Sequence, residues 1–358
     1  MTHRVLLVGG DFSENPRPSG YVRNLHEELS KLGLFQIMYH NGGSIAVLEG
    51  YVQKANDFDI IMWFANVPNT YTKSVNLIKG VNPNVILVTS KNNMEGIYSY
   101  PQIVSRMLAT KANLSLVFTK ASEDGKVQCT VLDPLANAYA LNELDVSKVA
   151  STLAQRAIEL HSFVRVGSVQ SGEHVVAPIN ESFFNIARSF AELFHSLIHA
   201  GETDRYLGNL SFRCTRGFPT FKHEDLIYVS RRNIDKRSIG RDGFVAVTPE
   251  LVNGKVSYYG DAKPSVDTPV QIELYKKYPS IKYMLHSHVY ITGGIFTKEK
   301  IPCGAIEEVD SICQVLPPGA DVMYASINLL GHGSIVMANS LTYFDQISYY
   351  GRDIPETA

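Results

Sequence analysis

The run Lys263-Pro264-Ser265-Val266-Asp267-Thr268-Pro269 is followed by a helix-length segment, then by Lys276-Lys277-Tyr278-Pro279-Ser280, and then by an apolar stretch that ends at His286-Ser287-His288. Thr268 with Pro269 marks a helix start, because proline at the first helical position gives up an N–H that has no partner there. Asp267 is therefore fixed just outside a helix N-terminus. Ile281 to Leu285 reads as a strand, and residues two apart in extended chain point to the same side, so the rings of His286 and His288 reach one ion. A third ligand is offered by His332, set between Gly331 and Gly333 ahead of the strand Ser334 to Met337. Its flanking glycines allow close backbone approach. Three histidines leave a fourth position for water or substrate, the arrangement of an open catalytic zinc site. A lone H-x-H pair is most often structural; the whole string carries the reading.

Upstream lie Gly208-Asn209-Leu210-Ser211-Phe212-Arg213. Together with Pro264 to Pro269, His286-Ser287-His288 and Leu330-Gly331-His332-Gly333, they occur in the order found in class II aldolases, ribulose-phosphate 4-epimerases and adducin heads. The resemblance spans roughly residues 182 to 345. It implies an α/β/α domain with a divalent metal, zinc or another such as manganese or cobalt, on His286, His288 and His332. In the family that metal holds the oxygens of a ketose-type substrate and stabilises an enediolate as a C–C or C–H bond breaks. The residue in the place of Asp267 is the acid/base; it is glutamate in the fuculose-phosphate aldolases and aspartate in the 4-epimerases, which P-S-x-D-T-P resembles more closely. A plain helix cap is the other reading of Asp267. Ile301-Pro302-Cys303-Gly304-Ala305-Ile306-Glu307-Glu308-Val309-Asp310 is similar to the epimerase segment that ends in a catalytic aspartate. That register makes Asp310 a second acid/base. Glu307 and Glu308 compete for the role, and a solvated loop with no role is a third reading.

The family's phosphate-holding residues map onto Gly208, Asn209, Ser230 and Ser265, with departures. The second serine of P-S-S is Val266, and the family's T-P-S-G turn reads Ser230-Arg231-Arg232-Asn233. Arg231 and Arg232 either clamp a carboxylate or phosphate in forked geometry or face solvent. Tyr349-Tyr350-Gly351 echoes the epimerases' Y-Y-G tail but lies closer to the third histidine than that tail does. The resemblance implies an aldolase-type lyase acting on a small anionic polyhydroxy carbonyl compound or sugar phosphate, with a 4-epimerase or a non-catalytic adducin-like module as alternatives. It also implies a homo-oligomer, a tetramer in these families.

N-terminal to this region the pattern changes. Val5 to Val8, Phe35 to Tyr39, Ile60 to Phe64, Val85 to Thr89 and Leu114 to Thr119 are continuous apolar runs, as in strands buried on both faces, with Val127 to Leu132 as an edge candidate. Tyr21 to Leu32 and Ile103 to Lys111 have helical length and spacing between them. The expected fold is thus α/β: a doubly wound, Rossmann-like parallel sheet over residues 1–168, then the class II aldolase-type domain over 175–358. A helix from Asn142 to Val164 closes the first half, and Gly167 to Glu173 has linker composition. The turn Gly9 to Gly20 either presents helix N–H groups to a nucleotide or other phosphate or is a structural bend. With Asp59 to Asn66 it resembles phosphopantothenoylcysteine synthetase-type domains; no residue is carried over. The second half opens with the apolar helix Ser182 to Ala200, where the spacing of His195 and His199 lacks the glutamate of H-E-x-x-H.

Composition sets the remaining limits. A hydrophobic share of 45% and a charged share of 19% are those of a globular protein. A formal charge of -2 supplies no global field for nucleic acid or an anionic membrane, so neither is expected as a partner. Cys129, Cys214, Cys303 and Cys313 form no C-x-x-C pair, and the apolar N-terminal run is too short for a signal or span. A cytoplasmic protein with reduced thiols is the expectation.

Overall fold

The computed structural model describes residues 2–68, 74–121, 125–197, 205–213, 226–316 and 321–357. The chain forms two units, Met1–Ser162 with Ile354–Ala358, and Phe163–Asp353. No helix among the described residues is long and apolar enough to cross a membrane.

The first unit alternates β1 (His3–Phe12), α1 (Gly20–Lys31), β2 (Phe35–Gly43), α2 (Ile45–Gln53), β3 (Ile60–Asn66), α3 (Ser74–Val81), β4 (Ile86–Asn92), α4 (Tyr100–Thr110) and β5 (Leu114–Lys120). It continues with β6 (Val127–Leu132), β7 (Asn137–Glu143) and α5 (Val146–Ser162). From one edge, β2, β1, β3, β4 and β5 are mutually parallel, which is the order of a doubly wound sheet. Val5 to Val8 and Ile60 to Met62 are fully buried, as expected of strands covered on both faces.

Several boundaries differ from the sequence reading. Val127 to Leu132 is interior, antiparallel to β5 on one side and to β7 on the other. Asn142 lies within β7 instead of starting a helix: its φ is 51° and its backbone N donates to Thr130 Oγ1 at 3.1 Å. The last strand of the chain, β19 (Glu356–Thr357), pairs in parallel with β7, so the final residues fall in the first unit and not in a domain reaching 358. The proposed linker is also structured, because Ser168–Gly172 forms β8 and pairs with Val256–Tyr259.

The second unit holds β8, α6 (Glu181–Leu197), β9 (Asn209–Arg213), β10 (Ile227–Ser230), β11 (Phe244–Val247), β12 (Val256–Tyr259), α7 (Thr268–Lys277) and β13 (Tyr283–Ser287). After these come β14 (Tyr290–Ile291), β15 (Ile295–Phe296), α8 (Glu308–Cys313), β16 (Tyr324–Leu329), β17 (Gly333–Ala338) and β18 (Tyr349–Tyr350). One sheet runs β15-β16-β17-β13-β9-β10-β11-β12-β8, antiparallel except at its two end pairs. Period-two alternation splits its strands between two cores. Leu210, Phe212, Tyr228, Leu285 and Val336 pack with Phe183, Phe184 and Ala187 of α6. Ile227, Val229, Met284, Ile335 and Met337 pack with Ile272 and Leu274 of α7 and Val309 and Ile312 of α8. The result is an α/β/α sandwich. Asn209, Ser211 and His286 alternate with the first group and so lie on the α7/α8 face, where polar residues replace apolar ones near the strand ends. After β17 the chain makes a 3-10 turn, Leu341–Gln346, followed by β18.

Candidate metal centre

The sheet brings the three histidines together. β13 pairs with β17 so that His286 faces Ile335 and Ser287 faces Ser334, and Gly331 and His332 form the turn that enters β17. Gly333 has φ of 145°, and a Cβ there would come within 1.9 Å of Ser287 O; only glycine lets this turn close against the H-x-H strand. One nitrogen from each of His286, His288 and His332 lies within 4.8 Å of the others, and all three residues are buried.

Two of the three rings are aimed by their second nitrogen. His286 Nδ1 lies 2.9 Å from Ser334 O, and His332 Nδ1 lies 2.7 Å from Glu308 Oε1. Both Nε2 atoms are left buried without a hydrogen-bond partner. Buried polar atoms are rarely left so, because each costs about 1–3 kcal/mol. A ring that donates through Nδ1 and presents a free Nε2 lone pair is the form in which histidine binds a metal. Burial pushes His286 down to about 4, with His332 adding to the shift and Asp267 opposing it. Burial likewise holds His288 well below the ordinary value. Both imidazoles are therefore neutral at neutral pH. Burial alone would lower His332, but Glu308 reverses the direction, while burial raises Glu308 against the pull of His332. With both partners raised, the pair keeps a proton between Nδ1 and Oε1. The donor set fits a divalent ion of the zinc type on three imidazoles, with Glu308 as the carboxylate behind one of them.

Asp267 stands beside this cluster, with Oδ2 at 3.8 Å from His286 Nε2. It occupies the N-cap position of α7, but its side chain makes no capping bond. Asn209 Nδ2 donates to Oδ2 at 2.9 Å, and the Cys303 thiol donates to Oδ1 at 3.0 Å. Gln271 Nε2 in turn donates to Asn209 Oδ1. Burial pushes the Asp267 carboxyl up, yet His286 and His332 more than offset it and hold it below the usual carboxylate value. The carboxylate is thus ionised and fixed next to the histidines.

Residues 188–341 match the family described as the Class II Aldolase and Adducin N-terminal domain. This stretch is a class II aldolase/adducin domain. Three solved structures similar to parts of the chain are a DNA/pantothenate metabolism flavoprotein from Streptococcus pneumoniae, YgbL from Escherichia coli and an L-fuculose-1-phosphate aldolase from Thermus thermophilus. The first has 13% identity and a TM-score of 0.35, covering 45% of this chain and 100% of that one. The second, described as a putative aldolase/epimerase/decarboxylase, has 16% identity and a TM-score of 0.32 over 45% of this chain and 79% of its own. The third has 13% identity and a TM-score of 0.27 over 44% and 79%. No curated protein sequence matches.

Within the aldolase/adducin domain the acidic trio separates. Only Glu308 joins the cluster, as the partner of His332 and not as a free acid/base. Glu307 accepts from Val164 N at 2.9 Å. Asp310, favoured by register, has 78% of its side chain exposed and pairs with Lys277 at 3.2 Å; α8 begins at Glu308, and its turn carries Asp310 away from the histidines. The anion-binding set also changes. Asn209 is buried, with an amide N–H on Asp267 and its oxygen on Gln271, so it positions Asp267. Ser230 is fully buried and accepts from Leu210 N at 3.2 Å. Gly208 packs against the backbone, since a Cβ there would meet His286 O at 2.5 Å. Arg232 is exposed and spends Nε on Pro264 O at 3.2 Å. Arg231, at a bridge to Pro264, keeps a buried Nε without a partner, and Ser265 is half-buried.

Three contributors escaped the sequence reading. Lys236 is buried and donates to Tyr206 O at 3.0 Å, and desolvation lowers it to about 8. Arg352 donates to Gly331 O at 2.9 Å and His332 O at 3.2 Å, holding the histidine turn from outside. Cys303 is kept as a thiol by burial and by Asp267. Only Cys303 had a signal in sequence, through I-P-C. Tyr350 pairs with Tyr290 on β14 and remains partly exposed. His199 and Cys214 lie outside the described residues.

Proposed function

We propose that the second unit is a divalent-metal-dependent lyase of the aldolase type, acting on a small anionic polyhydroxy carbonyl compound. The observation that carries this reading is the convergence of two buried, unpartnered Nε2 atoms and a third imidazole beside an ionised, fixed carboxylate. His286, His288 and His332 would hold the ion. When bound, it supplies a Lewis acid for the substrate's hydroxyl and carbonyl oxygens.

The chain's own residues do the rest. Asp267 accepts the hydroxyl proton released as the C–C bond opens and returns it to the carbon that keeps the electron pair. Asn209 and Gln271 hold that carboxylate in place, so its reach does not depend on rotamer sampling. Glu308 fixes the tautomer of His332. Burial of the cluster excludes bulk water from the proton being moved. Epimerisation is the second reading, favoured by aspartate at 267: the same bond opens and closes on the other face. The same reading carries assembly as a homo-oligomer.

The test is metal content and turnover together. The full chain should retain about one divalent ion per chain and cleave a hydroxy-carbonyl acid or sugar phosphate, with activity lost to a chelator and restored by zinc, manganese or cobalt. A metal-loaded protein inactive on every compound of this class would favour an adducin-like binding module.

A further inference from the structure

Val164 and Arg165 precede the aldolase/adducin match at 188–341, yet they are stitched to the loop that builds the metal cluster. Arg165 forms an antiparallel bridge with Ala305. Ile306 N donates to Val164 O at 3.1 Å, and Val164 N donates to Glu307 Oε1. On one side of that bridge the loop carries Cys303, bonded to Asp267; on the other it carries Glu308, bonded to His332. The position of Arg165 is set by the same few residues that set the cluster.

Its guanidinium is a charge without a counterion. It lies close enough to Cys303 for the two to interact electrostatically, and Cys303, being a thiol, brings no negative charge. Among the described residues no hydrogen bond or ion pair engages the Arg165 side chain. The side chain is exposed, yet the protein around it desolvates it enough to lower its pKa. The two cations that act on the histidines, Lys236 and Arg352, are committed to backbone carbonyls.

We propose that Arg165, supplied from outside the aldolase/adducin domain, binds the anionic end of the substrate whose carbonyl end sits at the three histidines. The proposal rests on the metal-centre reading above. A planar guanidinium grips carboxylate or phosphate through two parallel N–H bonds.

Three hydroxamates separate the parts of the claim, because a hydroxamate offers a metal the paired oxygens of a hydroxy carbonyl compound. Glycolohydroxamate has a neutral tail, its phosphorylated form a phosphate tail, and malonic monohydroxamate a carboxylate tail. Binding to the zinc-loaded full chain is measured by calorimetry for wild type, Arg165→Ala and Arg165→Lys, with thermal stability as the folding control. Arg165→Ala should weaken at least one tailed probe by roughly tenfold to a hundredfold, the range for a charged hydrogen bond, and leave glycolohydroxamate unchanged. Arg165→Lys should recover part of the loss. Which tail suffers identifies the anion as phosphate or carboxylate. Equal weakening of all three probes, or of no tailed probe, overturns the proposal. Failure of glycolohydroxamate to bind zinc-loaded wild type would overturn the metal-centre reading and this proposal with it.

Discussion

The turn after β1 and the turn before β17 are both glycine-rich, both at strand ends, and both candidates for ligand binding, yet they are built to opposite ends. Around the first, polar groups answer one another. Asp11 N donates to Arg17 O at 2.7 Å, Asn66 Nδ2 to Asp11 Oδ1 at 2.8 Å, and Ser19 N to Asn41 Oδ1 at 2.8 Å. Asn41 Nδ2 returns bonds to Ser19 O and Tyr39 OH. Gly10, at φ of 77°, is required because a Cβ would meet Arg17 O at 2.6 Å. Around the second, the hydrogen bonds aim two imidazoles and leave their Nε2 atoms with nothing. Glycine content does not distinguish a structural bend from a site. Unspent bonding capacity does.

The contrast can be broken most decisively at the histidines. His286→Ala and His332→Ala should each remove essentially all bound metal, measured as metal per chain; a variant with full occupancy would mean that the unpartnered nitrogens are not ligands. Next in size is Asp267→Asn, expected to lower turnover about a hundredfold or more with metal content and thermal stability nearly unchanged. Equal turnover would reduce Asp267 to a structural residue. Glu308→Gln should weaken metal binding by about tenfold to a hundredfold, read by competition with a chromophoric chelator; no change would detach Glu308 from the site.

A smaller effect comes from pH. His286 has a folded value near 4, below an unfolded value of about 6.5, so the unfolded chain binds the extra proton between them. Its contribution to stability is complete above the upper value and is lost as pH falls toward the lower one, by at most about 1.4 kcal/mol per pH unit. Denaturation of metal-free wild type and His286→Gln at pH 7 and pH 5 should show the larger loss in wild type. The smallest expectation is zero: added to metal-free Arg165→Ala, ADP should leave the melting temperature unmoved. A clear rise would place a ligand at the satisfied turn after β1 and undo the comparison.

What could be read from sequence follows the same division. The parallel strands were legible because burial on both faces leaves unbroken apolar runs such as Ile60 to Phe64. His286 and His288 were legible because a strand repeats every two residues, and His332 because glycines flank it. The acidic loop was not: Glu307, Glu308 and Asp310 differ only by their angle on a short helix, and register alone favoured the one that turns outward to Lys277. Asn209 carried the right family position and another task, since its partners Gln271 and Asp267 are 62 and 58 residues away. Arg165 gave no signal because its proximity to Cys303 arises from a bridge between segments 140 residues apart in number, Arg165 and Ala305.

The hydrogen bond between Glu308 and His332 also fixes an electrical balance. With neutral imidazoles, the enclosed cluster holds two carboxylates, Asp267 and Glu308, both almost entirely shielded from water. A divalent ion offsets both carboxylates, whereas a monovalent one offsets only one of them, in a medium that penalises unbalanced charge by several kcal/mol. The protein can therefore discriminate by valence before coordination geometry is considered. A substrate that arrives as an anion then adds a further negative charge, which cations around the cluster have to answer.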